Sequence, residues 1–425
     1  MKKTLWKIIS QLNKFGRKTT KLDLKYLAKS GGWRISENFI GILASFLISI
    51  AFANLLSIKD FGIYKYLLSL ASISTFLTLS GLGVAVIQSV SKGYDRSLLI
   101  AIKMRLRWNF IYTLGLLSFA GYYFFKGNFL FASSLSILGI ITPLTSTYHL
   151  YNSFLIGKKE FKQSAIYSFI KNILRLVVTI GVLLITDSIL ALIITFALVS
   201  AIPNIYFYFK IKDKFKIIDN KITKKEGASL INFGLHRSFL DALSTAVNYI
   251  DSIILFQLAG PIQLAFYTFS KNIPQVGNGL IKNTLSIYLP KIANKKLEEI
   301  RKVFFLRIIQ GLVIGSFVAI LLILITPYIF KFIYPQYIDS IFYAQLLSLT
   351  AIFIIPRAYV GYILNGHRMI KSIYYSSVTT NITRLILLST LGYLFGIIGI
   401  IAAVIIGGLF GTIIAIVVLQ KDMPR

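Results

Sequence analysis

The sequence predicts an all-α integral membrane protein in which about twelve transmembrane helices form two parallel-repeat six-helix bundles around a central cavity. Three observations predict it. Of the 425 residues, 56% are apolar and only 14% charged, against about 25% charged in a typical soluble domain. The apolar residues gather into long uncharged runs, and about 20 such residues make a helix that crosses a hydrocarbon core of roughly 30 Å. The second half of the chain also repeats the first.

Residues 1–36 form a basic cytoplasmic tail. Leu5, Trp6, Ile8, Ile9, Leu12 and Phe15 recur at helical spacing among its lysines, as in an interfacial helix on anionic lipid. A cleaved signal peptide is disfavoured, because the segment lacks a continuous apolar core and a small-residue cleavage site. Six spans are expected over 37–57, 62–87, 107–126, 129–152, 164–186 and 188–209, together an N-terminal bundle at 37–209. The basic segment 210–226 is a cytoplasmic linker. Six more spans, 229–258, 263–289, 303–330, 338–361, 371–393 and 397–420, make a C-terminal bundle at 227–421, with 422–425 as a short tail. The uncharged run 385–420 is too long for one crossing, and Gly392, Gly396 and Gly399 mark a tight reversal within it.

Orientation follows from the connections. One side carries 35 of the 46 Lys and Arg, while the other has only Lys59, Lys126 and Lys331. The positive-inside rule then places both termini in the cytoplasm of a multi-pass protein in a bacterial or archaeal cytoplasmic membrane. This clustering also explains the net charge of +31 without nucleic acid as a partner. With no cysteine and three histidines, the chain offers neither a thiol nor a metal site, and no cofactor is expected. The outward loops are short, leaving no room for the catalytic site of a membrane glycosyltransferase or polymerase.

The repeat is clearest at a constant offset of 209, where LIGKKEFKQSAIYSFIKNILRL from Leu155 aligns without gaps to LNGHRMIKSIYYSSVTTNITRL from Leu364. Asn172 then pairs with Asn381 and Arg175 with Arg384. A weaker match sets Gly62, Tyr64 and Tyr66 beside Ala265, Tyr267 and Phe269. Six spans per half make the repeat parallel, related by an axis along the membrane normal.

Eight cations, namely Lys65, Lys171, Arg175, Arg237, Lys271, Lys282, Arg357 and Arg384, fall inside spans or at their edges. Starting the fifth span after Arg175 would leave about 16 Å of helix before the Asp187 turn, too little to cross. Arg175 therefore sits near mid-membrane, and Arg384 by the same reasoning. A lone cation there costs at least about 2.5 to 3.5 kcal/mol, so each faces a watery cavity, snorkels, or contacts a neighbouring helix. In the seventh span Arg237, Asp241, Ser244, Asn248 and Asp251 lie within an arc of about 80°. In the eighth, Tyr267, Lys271, Gln275, Asn278 and Lys282 repeat the pattern, with Pro274 as a hinge. Two polar stripes on adjacent helices describe the wall of a hydrated path; a purely structural ion-pair network is the plainer reading. Glu37, near the cytoplasmic end of the first span, is expected to be solvated, Lys65 is ambiguous, and Arg357 is expected to snorkel or pair.

Together with a Leu55, Leu56 to Gly62, Tyr64 turn, a Gly81, Leu82, Gly83 ending to the second span and a cytoplasmic turn at Leu155 to Phe161, the chain resembles the polysaccharide flippases of the multidrug/oligosaccharidyl-lipid/polysaccharide (MOP) exporter superfamily. The resemblance implies a V-shaped cavity lined by the first, second, seventh and eighth helices that alternates between the membrane faces. It implies a polyprenyl-diphosphate-linked oligosaccharide as substrate, met by Arg237, Lys271 and Lys282, with Gln275, Asn278 and Asn248 beside them and Arg175 and Arg384 further out. Membrane lipids, a polysaccharide polymerase and glycosyltransferases are the implied partners. Proton or sodium coupling falls to Asp251, Asp241 or Glu37. Arg237 one turn below is expected to hold Asp241 ionised, while Asp251 has no cation in its own span unless Lys271 reaches it. A peptidoglycan lipid precursor flippase and a cation-coupled multidrug exporter of the same superfamily are the alternatives.

Overall fold

The computed structural model describes residues 24–217, 224–285, 292, 295–367 and 369–423. The first 23 residues, most of the linker's centre at 218–223 and the segment around 286–294 lie outside it. Helix α1 runs Leu24–Leu55, with its apolar, membrane-length part at Ser36–Leu55, and the expected interfacial helix at Leu5 to Phe15 lies outside the described residues. The second span is broken: α2 (Ile58–Ser74) gives way to a 3-10 turn at Thr75–Thr78, Leu79 takes a left-handed φ of 51°, and α3 (Leu82–Ser91) resumes. Next come α4 (Ser97–Phe125), α5 (Phe129–Tyr148), α6 (Leu150–Gly157), α7 (Phe161–Ile185) and α8 (Ile189–Lys214). The second half comprises α9 (Lys224–Leu285), α10 (Leu297–Ile333), α11 (Ser340–Ser348), α12 (Ala351–Gly366) and α13 (Ile370–Asp422).

Eight helical runs among the described residues are long and apolar enough to cross a membrane. Two of them, in α9 and α13, fold back on themselves at a glycine. In α9, Gly260 has φ 80° and ψ −177°, a conformation closed to residues with a Cβ. The side chains of Tyr267 and Lys271 both reach Asp251, at 2.7 and 3.0 Å. In a straight helix those residues would stand about 24 and 30 Å apart along the axis. In α13 the break is Gly396, with φ 58° and ψ −132°, inside the expected Gly392 to Gly399 reversal. A Cβ on Gly392 would come within 3.1 Å of the Ile400 side chain, which again requires the chain to turn back.

Helix α4 begins ten residues before its expected span. Arg105, which the basic-loop count places in the cytoplasm, is buried and donates to the carbonyls of Thr78, Leu79 and Ser146 at 2.8, 2.8 and 2.9 Å. It thus partners the Thr78 and Leu79 carbonyls at the break between α2 and α3, which a continuous helix would have satisfied itself.

One contact of the repeat recurs in both halves. Asn381 donates to Ser244 at 3.1 Å. Its sequence partner Asn172 has Nδ2 3.6 Å from where a Cβ on Gly41 would stand. Gly41 is the residue matching Ser244 at the offset of 203 that pairs Tyr64 with Tyr267.

The apolar cores are distributed unevenly. At the end away from the basic loops, both halves share one core that includes Leu56, Phe61, Leu264, Phe269, Tyr334 and Tyr337. Phe61 lies 4.7 Å from Phe269, and Phe269 lies 3.9 Å from Tyr337, centroid to centroid. Such ring pairs add about 0.5 to 1.5 kcal/mol each beyond their burial. At the end bearing the basic loops there are two separate cores: one around Leu82, Leu98, Tyr151 and Ile211, the other around Ile300, Phe304, Ile363 and Leu419. The first of these also takes in Leu230 of α9, and beside it Gly81 N–H donates to Ser238 Oγ at 3.0 Å, so at this end the N-terminal half still meets the first arm of α9 while the second core stands apart.

Candidate functional site

A cavity of about 980 Å³ lies mainly within the C-terminal half. Its wall comes from both arms of α9, from α11, α12 and α13, and from Lys65 and Ser69 of α2. The α9 stripe behaves as its spacing predicts only in part. Ser244, Asn248 and Asp251 line the cavity, whereas Arg237 and Asp241 pair with each other at 3.2 Å, half-exposed, and line neither this cavity nor the second one described below. The return arm contributes Lys271, Gln275 and Asn278. Lys282 lies in α9, but its side chain is outside the described residues.

Asp251 is wholly buried and lies at the centre of a network. Its Oδ2 accepts from Lys271 Nζ at 3.0 Å and from the Tyr267 hydroxyl at 2.7 Å. Its Oδ1 accepts from the Ser252 N–H and hydroxyl at 2.6 and 3.1 Å. The condition attached to Asp251 in the sequence, a cation arriving from the neighbouring helix, is met.

Arg384 and Arg175, equivalent in the repeat, part company. Arg384 lines the cavity and donates to Asn248 Oδ1 at 3.1 Å. Arg175 lies over the Phe196 ring, 5.4 Å from its centroid, and lines neither cavity. Lys65 and Arg357 both line the large cavity, so Arg357 does more than snorkel. Four cations, Lys65, Lys271, Arg357 and Arg384, thus face one carboxylate, Asp251. Asn278 Oδ1 and Arg384 Nε are shielded from solvent yet have no protein partner. A serine four residues after Lys65 was the sequence signal for that lysine. For Arg357 only its depth in the tenth span was available.

A second cavity of about 540 Å³ lies between α1, α7 and the return arm of α9. Glu37 is here, its Oε1 accepting from Ser168 at 2.5 Å. Lys171, on the same wall, reaches Asn204 Oδ1 at 3.2 Å and His149 Nδ1 at 3.4 Å. Asn272 and Gln275 line both cavities, so the two are adjacent.

Residues 27–294, more than half of the chain, match the family model described as "Polysaccharide biosynthesis protein". The chain belongs to that family. No functionally curated protein matches it significantly. Among solved structures, an inward-facing multidrug resistance MATE family transporter of the MOP superfamily is similar with a TM-score of 0.65 and 14% identity, over 92% of this chain and 98% of that one. The lipid II flippase MurJ, in an inward closed conformation, is similar with a TM-score of 0.64 and 16% identity, over 92% and 88%. An outward-facing MATE transporter of the superfamily gives 0.62 at 12% identity, over 93% and 96%. At such identities the likeness shows the fold alone, one shared with these transporters. Family and fold together make this polysaccharide biosynthesis protein a multi-pass membrane protein.

Proposed function

We propose that the protein is a flippase that carries polyprenyl-diphosphate-linked oligosaccharide across the cytoplasmic membrane by alternating access, for cell-surface polysaccharide biosynthesis. The observation that carries this is the large cavity's four cations against one carboxylate at membrane depth. A diphosphate brought out of water loses strong hydration, and fixed guanidinium and ammonium donors replace it with charge-assisted hydrogen bonds. Lys271, Arg384, Gln275, Asn278 and Asn248 bind the head group in this reading. Arg237 and Lys282, nearer the basic end, meet it on entry, and Arg175 supports the N-terminal bundle from behind. The polyprenyl tail stays in lipid. A multidrug exporter for cations is disfavoured, because this cavity repels them.

With the basic loops and both termini in the cytoplasm, the end with the two separate cores faces inward and the shared aromatic core closes the outer face. Transport is then rocking of the bundles 37–209 and 227–421 about the linker 210–226. Coupling falls first to Asp251. A diphosphate competes with that carboxylate for Lys271, and a carboxylate losing its cation takes up a proton or sodium ion. Asp241 and Glu37 are the next candidates. Polymerase and glycosyltransferases on either face supply and consume the lipid-linked sugar.

The test is translocation in reconstituted vesicles. A polyprenyl-diphospho-oligosaccharide should become accessible to an impermeant glycosidase on the far leaflet, and the matching monophosphate lipid should not. Equal movement of both would refute a diphosphate-reading cavity.

A further inference from the structure

The two cavities touch but differ in chemistry. The larger is strongly cationic, as above. The smaller balances one carboxylate, Glu37, against one ammonium, Lys171, and its other polar lining is neutral: Asn38, Ser45 and Asn172 among amides and hydroxyls. An anion gains little there, since Glu37 repels it and Lys171 already serves Asn204. An apolar tail gains less, since it would strip water from amides and hydroxyls without replacing their hydrogen bonds.

Resting on the flippase reading above, we infer that the smaller cavity is a carbohydrate subsite that holds the sugar attached to the diphosphate, while the diphosphate lies in the larger one. Sugar hydroxyls are donors and acceptors at once, and an amide side chain presents both functions side by side. A carboxylate accepts from hydroxyls, and Phe46, half-buried in the same wall, offers an apolar face to the C–H side of a pyranose ring. The volume suits a small ligand. Asn272 and Gln275 form the shared edge, so a phosphate among the cations places its glycosidic oxygen at the entrance to the amides. This division of labour makes the N-terminal bundle the reader of sugar identity and the C-terminal bundle the reader of charge.

The experiment compares detergent-solubilised full-length protein with three lipids: bare polyprenyl diphosphate, polyprenyl-diphospho-hexose and polyprenyl-diphospho-N-acetylhexosamine. The wild type should bind at least one sugar-bearing lipid about tenfold more tightly than the bare one, as one or two net hydrogen bonds provide. Asn38→Leu and Asn172→Leu should each abolish that gain and leave the affinity for bare diphosphate unchanged. Arg384→Gln should weaken all three lipids alike. Asn38 is exposed on the cavity wall, which keeps its variant foldable should Asn172→Leu fail to insert. The inference is overturned if neither sugar-bearing lipid outbinds the bare one, or if both leucine variants weaken all three lipids equally. Failure of the wild type to bind any of them would overturn the flippase reading itself.

Discussion

Gly62 sits at the start of α2, where the N-terminal half meets the turn of α9 at the closed end. A Cβ on Gly62 would stand 1.9 Å from the Pro261 carbonyl oxygen and 2.6 Å from its carbon. Both are backbone atoms, so no rotamer change relieves the clash, and the two segments must separate by roughly 1.5 Å to reach ordinary contact. Overpacking of this kind costs about 1 to 3 kcal/mol. If rocking opens this end, the cost falls on the inward-facing state alone. At about 1.4 kcal/mol per tenfold, Gly62→Ala should shift the equilibrium roughly 5- to 150-fold toward the outward-facing state. The chain has no cysteine, so spin labels on cysteines substituted at Lys126 and Tyr393 report the outer ends cleanly. Electron–electron distance measurements should show a longer population growing in the Gly62→Ala protein. An unchanged distance distribution in correctly inserted protein would refute the claim that this contact breaks during the cycle.

Asp251→Asn removes the negative partner of Lys271, so it should retain binding of polyprenyl diphosphate while losing the dependence of transport on an imposed pH or sodium gradient in vesicles; a wild-type gradient response would move coupling to Asp241 or Glu37. Arg105→Gln removes the guanidinium donors from the carbonyls of Thr78, Leu79 and Ser146 and should destabilise the fold by about 1 to 3 kcal/mol, read as a lower unfolding midpoint in detergent. Arg105→Lys should rescue little of this, because an ammonium cannot reproduce the planar fork. A cysteine substituted at Lys296 should resist an impermeant thiol reagent in intact cells and one at Lys126 should react, and the reverse pattern would invert the loading side.

Much of the architecture is legible in the sequence because membrane helices satisfy their own backbone groups, so length and apolarity mark them locally. The Gly396 reversal was visible as an uncharged run too long for the bilayer. The α9 stripe was visible because helical period alone brings Ser244, Asn248 and Asp251 to one face. Contacts between helices were not. Arg175 and Arg384 have equivalent surroundings in the repeat, and only packing decides that one meets Phe196 and the other Asn248. The α2–α3 break left no proline in the sequence; its stabiliser is Arg105, 26 residues from Leu79, which charge counting assigned to a loop. Lys65 and Arg357 gain their place in the cavity from the way the two halves meet.

The central claim is that the cavity cations recognise a diphosphate head group, and charge substitution at Arg384 and Lys271 tests it most directly. In vesicles carrying equal amounts of inserted protein, Arg384→Gln and Lys271→Ala should each lower translocation of polyprenyl-diphospho-oligosaccharide at least about tenfold, as loss of a charge-assisted hydrogen bond requires. Arg384→Lys should retain more activity than Arg384→Gln. Translocation at the wild-type rate by both Arg384→Gln and Lys271→Ala would contradict the account.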